Sequence, residues 1–109
     1  MAFIDVDEDN FDVVLAREFE KEKFVVLKFG SYYCDACQIM DMELEELCDR
    51  LANVSVLSID SGKSEYLTQR YFVEEVPTTL IFKEAEKQLF YRTGITLADD
   101  MIDVILKEC

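Results

Sequence analysis

Cys34-Asp35-Ala36-Cys37 puts two thiols two residues apart, after an apolar run and ahead of a helical pattern. A first Cys at the start of a helix faces unpaired backbone N–H groups, which favour its thiolate. The second Cys stands about one turn on, close enough to attack a mixed disulfide formed by the first. Cys37 also begins the apolar stripe of the helix, so it is expected to be the more sheltered sulfur. That assigns Cys34 as nucleophile and Cys37 as resolving thiol of a thiol–disulfide exchange, with Cys34-Cys37 as the redox-active disulfide.

The same spacing occurs in metal knuckles. A structural zinc site needs four ligands, and the chain has no His. Cys48 lies about three turns further along the helix, roughly 16 Å by rise per residue, too far to share an ion with the pair. Cys109 could reach, but three thiolates do not close a site. No metal and no bound cofactor is expected within one chain; a cluster shared between two chains is the open alternative.

Two charged residues bear on the dithiol. Lys28, six positions before Cys34, would favour a thiolate if its ammonium lies near, whereas Asp35 would oppose it. They could also pair and cancel, or Lys28 could run its stem along the core and put its head in water. Tyr32 and Tyr33 either form an aromatic lip for peptide binding or cover the first turn of the helix. Cys48 reads as a small core residue and Cys109 as a free terminal thiol. The acidic stretch from Asp41 to Glu46 reads as a solvated helix face.

The elements that must position the pair follow from hydrophobic spacing. Phe3 to Val6 reads as a short strand. Asp9 or Asn10 can cap a helix carrying Phe11, Val14, Leu15 and Phe19. Phe24 to Phe29 is a near-continuous apolar run, as expected of a strand covered on both faces, and Gly30-Ser31 breaks it. A long helix then aligns Cys37, Met40, Leu44, Leu47, Cys48 and Leu51. Val54 to Ile59 is a second covered strand, and a helix over 64–72 follows. Thr78 to Phe82 and Leu89 to Arg92 flank the charged connection Lys83 to Lys87 and read as a hairpin. Thr96 with Asp99 resembles a capping box for a last helix buried through Leu97, Met101, Ile102 and Ile105. The order β-α-β-α-β-α-β-β-α implies an α/β fold with a mixed sheet between helices.

With 109 residues there is room for one domain, spanning 1–109. A net charge of −13 argues against nucleic-acid and anionic-lipid partners. No apolar run approaches the ~20 residues of a membrane span, and the acidic N-terminus does not resemble a secretory signal. Four cysteines placed as a close pair, one mid-helix and one at the end do not make a stapled scaffold. A reducing, cytoplasmic setting is expected.

Val26-Leu27-Lys28-Phe29, Tyr33-Cys34-Asp35-Ala36-Cys37, Asp60, Val76-Pro77-Thr78 and Gly94 together resemble the thioredoxin family over nearly the whole chain. The resemblance implies a three-layer sandwich with a central four- or five-stranded mixed sheet. It implies that Pro77 is a cis-proline facing the disulfide, where the residues alone also allow an ordinary trans proline at a strand start. Val76 would then pair through its backbone with a substrate segment beside Cys34 and Tyr33. The expected partners are disulfide-containing proteins and an external reductant, a thioredoxin reductase or glutathione, with the chain a monomer. The sequence departs from the family at Tyr33 (usually Trp), Asp35-Ala36 (Gly-Pro), Lys28 (a buried acid), Met42 (Pro) and Glu75 (Gly). These departures keep open a binding module with the same fold and little redox turnover.

Overall fold

The computed structural model describes residues 3–108. Its elements are β1 (Phe3–Val6), α1 (Phe11–Glu20), β2 (Phe24–Gly30), α2 (Asp35–Arg50), β3 (Val54–Asp60), α3 (Glu65–Arg70), β4 (Thr78–Glu84), β5 (Lys87–Thr93) and α4 (Ala98–Leu106). The strands form one sheet in the order β1-β3-β2-β4-β5. β3 runs parallel to β1 and β2, β4 antiparallel to β2, and β5 antiparallel to β4. The sheet is therefore mixed and five-stranded, with β2 at its centre and every residue of β2 buried.

Because successive strand side chains alternate between faces, β2 and β3 serve two separate cores. Val25, Leu27, Phe29, Leu57 and Ile59 pack with Phe11, Val14, Leu15 and Leu67 of α1 and α3. Phe24, Val26, Val54 and Val56 pack with Met40, Leu44 and Leu47 of α2 and with Met101, Ile102 and Ile105 of α4. Burial of this kind contributes about 1.5–3 kcal/mol for each large aliphatic side chain. The second layer fixes α2, and with it the Cys pair, against one end of the sheet.

Several expected boundaries move. The hairpin connection shortens to Ala85-Glu86, because Lys83, Glu84 and Lys87 are strand residues. At the tip of the hairpin two of these charges find partners beyond α4: Lys83 Nζ donates to the Glu108 carbonyl at 3.1 Å, and Lys87 pairs with the Glu108 carboxylate at 2.9 Å. The Thr96–Asp99 capping box does not form. Leu97 is the N-cap of α4 and has no side-chain cap; instead the Ala98 N–H donates to Glu43 Oε1 of α2 at 2.8 Å. Standing before the helix proper, Leu97 is 57 % exposed rather than buried. Asn10 occupies the N-cap of α1 without capping it; its Oδ1 accepts from the Asp7 N–H, 2.8 Å away.

Candidate active site

β2 delivers the chain to the site. It ends at Gly30, and four residues later Cys34 is the N-cap of α2 in an extended conformation. Its Sγ accepts a hydrogen bond from the Cys37 N–H at 3.1 Å, so the sulfur lies against a backbone donor of the first helical turn. Cys34 and Cys37 are joined as a disulfide, with Cα atoms 5.1 Å apart. The two sulfurs are not equivalent. Cys34 is half-buried, whereas Cys37 is 1 % exposed.

The strand register explains what lies under the pair. On the face turned to α2, Val56, Val26, Ile81 and Phe90 stand side by side across four strands. One pleat nearer the disulfide, the same row becomes Ser58, Lys28, Thr79 and Arg92. The core thus turns polar at the end that carries the cysteines. Lys28 lies in it with only 7 % of its side chain exposed and its Nζ 2.9 Å from Asp41 Oδ1. Among the described residues, Asp41 Oδ1 and Thr79 Oγ1 are buried side-chain oxygens without a directed hydrogen bond.

Gly30 closes this arrangement. A Cβ built there would lie 2.6 Å from Lys28 Nζ and 3.3 Å from Cys37 Sγ. The two distances add to 5.9 Å, which is the greatest separation the ammonium and the sulfur can have. Lys28 therefore does not put its head in water, and it pairs with Asp41, not Asp35. Asp35 stays exposed in the first turn of α2. Sequence reasoning passed over Asp41 as part of a solvated run, although its position four residues after Cys37 places both on one helix face.

Tyr32 and Tyr33 do not cover the helix. Their rings meet edge to face at 4.9 Å, and Tyr33 is 93 % exposed. With Lys28, Asp35, Cys37, Gln38 and Asp41 they line a cleft of about 490 Å³ beside the disulfide.

The Val76–Pro77 peptide is cis. Thr78, next to Pro77, pairs with Phe29 in register, which sets the 75–77 turn beside the end of β2. The Thr78 hydroxyl donates to the Glu75 carbonyl at 2.6 Å, and the Gly94 N–H donates to the Pro77 carbonyl at 2.8 Å. Among the described residues, the Val76 peptide groups find no hydrogen-bond partner.

Met42 is exposed on an unbroken α2. Cys48 is half-buried beside the α2–α4 core, and burial first, then Asp49, pushes its thiol up. Cys109 lies outside the described residues.

Residues 2–107 match the family model described as Thioredoxin. The chain belongs to the thioredoxin family. It is 29 % identical over 83 residues to a thioredoxin of Chlamydia trachomatis, covering 76 % of this chain and 80 % of that protein. Against thioredoxin of Chlamydia muridarum the identity is 26 %, with 94 % of both chains covered. The chloroplastic thioredoxin Y of Oryza sativa is 33 % identical over 71 % of this chain, but that match spans only 45 % of the longer protein. Among solved structures, chloroplastic thioredoxin z superposes with a TM-score of 0.83 at 19 % identity, over 98 % of this chain and 94 % of that one. Thioredoxin NaTrxh from Nicotiana alata gives 0.83 at 20 % identity, over 97 % and 91 %. The five-stranded sheet with its four helices is the thioredoxin fold. A thioredoxin-family chain carrying this dithiol is a thiol–disulfide oxidoreductase, and such proteins act on disulfide substrates with reductant partners.

Proposed function

We propose that the protein reduces disulfides in partner proteins, with Cys34 as attacking thiolate and Cys37 as resolving thiol. One observation carries the assignment: Cys34 is the half-buried N-cap of α2 and accepts from a helix N–H, while Cys37 is enclosed. In the forward direction Cys34 attacks one sulfur of the substrate disulfide and displaces the other as a thiolate. Cys37 then attacks Cys34, releasing the second substrate thiol and leaving the Cys34–Cys37 disulfide.

The substrate chain docks as an extended segment along Val76, whose unpaired N–H and C=O suit strand-like pairing. Pro77 shapes that edge, and Tyr33 covers the segment from the other side of the sulfurs. Lys28 tunes the dithiol from the Cys37 side, and Asp35 opposes the thiolate at Cys34. An external thiol reductant, a thioredoxin reductase or glutathione, regenerates the pair. A reducing, cytoplasmic setting suits a single dithiol in a one-domain monomer.

The test is covalent trapping. Cys37→Ser leaves the first attack intact and removes the second, so mixed disulfides should accumulate on Cys34 when the variant meets cell extract. Cys34→Ser should trap nothing. If Cys37→Ser captures no more protein than the variant lacking both thiols, the chain is a binding module of the same fold.

A further inference from the structure

Resolution of the mixed disulfide releases one proton for which the two cysteines themselves supply no acceptor. Cys37 must lose its proton before it can attack Cys34, yet it is almost fully enclosed. An enclosed thiol gives up its proton most readily to a base already placed beside it. The groups built around the sulfur supply the candidates.

Asp41 meets the requirement. It lies four residues after Cys37 on α2, which puts the two side chains on neighbouring positions of one face, Cβ atoms about 5–6 Å apart. Both line the cleft beside the disulfide. The inner oxygen, Oδ1, is buried and completes no directed hydrogen bond, so it has a free site for a proton. The side chain as a whole is 39 % exposed, so the carboxylate links the enclosed sulfur to solvent. Lys28, rooted in the centre of the sheet, contacts that same inner oxygen at 2.9 Å and holds it inward.

The remaining charged groups are poorly placed for the task. Tyr33 and Asp35 line the cleft but are exposed. Asp5, Asp60 and Lys63 face Lys28 from a second cleft of about 350 Å³. From α4, Asp99 is engaged by Arg50 at 2.6 Å. Along the sheet row, Arg92 lies over the Phe90 ring.

We infer that Asp41 accepts the Cys37 proton, directly or through one water, during resolution of the mixed disulfide, with Lys28 as its positioning residue. Cys37–SH passes its proton to the Asp41 carboxylate, and the thiolate attacks Cys34 Sγ. The Cys34–substrate bond breaks as the Cys34–Cys37 bond forms. The electron pair leaves on the substrate sulfur, which takes a proton from water, and Asp41 returns its proton to solvent. The dithiol has then given two electrons to the substrate disulfide. The inference rests on the proposed roles of Cys34 and Cys37.

The experiment is single-turnover exchange between the reduced protein and a disulfide-bonded peptide, quenched with acid and read by mass. It separates formation of the mixed disulfide from its resolution. In Asp41→Asn, formation should stay within about twofold of the parent, while resolution at pH 7 should slow by about 100-fold, the scale of a lost general base. Resolution should recover as pH rises towards ordinary thiol ionisation near ~8.5. Asp41→Glu should restore most of the rate. Because Asp41→Asn strips the partner from a buried ammonium, Lys28→Met/Asp41→Asn is the control for folding, and it too should resolve slowly. Resolution at the parent rate, or with the parent pH profile, in either variant overturns the role of Asp41. Absence of any substrate reduction by the parent overturns the underlying reading instead, and the inference with it.

Discussion

Lys28 Nζ and Cys37 Sγ converge over Gly30, no more than 5.9 Å apart, so the buried cation that pairs with Asp41 also stands beside the resolving sulfur. An ammonium at this range favours the thiolate form of Cys37 once the pair is reduced. Lys28→Met keeps the stem and removes the charge. In a Cys34→Ser background, the pH midpoint of Cys37 alkylation should rise by about one pH unit or more. An unchanged midpoint would make Lys28 a packing residue only.

Gly30→Ala tests the same convergence through space. The new methyl would sit 2.6 Å from Lys28 Nζ and 2.9 Å from Cε, so the lysine head must leave its place beside Cys37. The crowded atoms are the end of a flexible side chain, so the cost comes from parting the buried ammonium from Asp41, 2.9 Å away, and stability in urea unfolding should fall by about 1–3 kcal/mol. The alkylation midpoint of Cys37 should move in the same direction as in Lys28→Met. A variant of parent stability and parent midpoint would contradict the arrangement.

How much of this was legible before the fold was known depends on whether a residue answers to its neighbours in sequence or in space. Phe24 to Phe29 and Val54 to Ile59 read as covered strands because both faces of each are buried. Cys34 was legible as a helix start because the change from strand to helical spacing falls there. Asp41 was not, because its partner is Lys28 on another element and its own neighbours are surface acids. The start of α4 is hidden in the sequence for the same reason: its cap is Glu43, 55 residues away. Lys83, Glu84 and Lys87 look like a loop because charged strand residues at the tip of a hairpin imitate charge in a turn.

Glu43→Ala should expose that tertiary cap. It removes a charged acceptor from the first N–H of α4, and caps of this type contribute about 0.5–2 kcal/mol. Thermal unfolding should show a loss in that range, whereas Thr96→Ala should leave the start of α4 in place, its hydroxyl taking no part in capping. Hydrogen exchange at Ala98 reads the difference directly.

Glu18 predicts an acid limb of stability. Burial would raise its carboxyl, but the Ser55 hydroxyl at 2.6 Å, Lys21 and Arg17 outweigh burial and hold it at about 2, against 4.5 for a free side chain. A folded value below the unfolded one means the contribution is complete above pH 4.5 and is lost as pH falls towards 2. Its size is on the order of 3 kcal/mol. Urea midpoints measured from pH 6 to pH 2 should decline through this window. Glu18→Gln should flatten the decline; an unaltered slope would contradict the assignment.

Mass-resolved exchange with a single disulfide substrate shows whether Cys34 and Cys37 work as one attacking and one resolving thiol. The reduced parent should convert one substrate disulfide per chain and end with the Cys34–Cys37 bond formed. Cys37→Ser should stop at a covalent complex through Cys34, and Cys34→Ser should leave the substrate oxidised. Turnover by Cys34→Ser equal to the parent, or none by the parent itself, would contradict these roles for the two thiols.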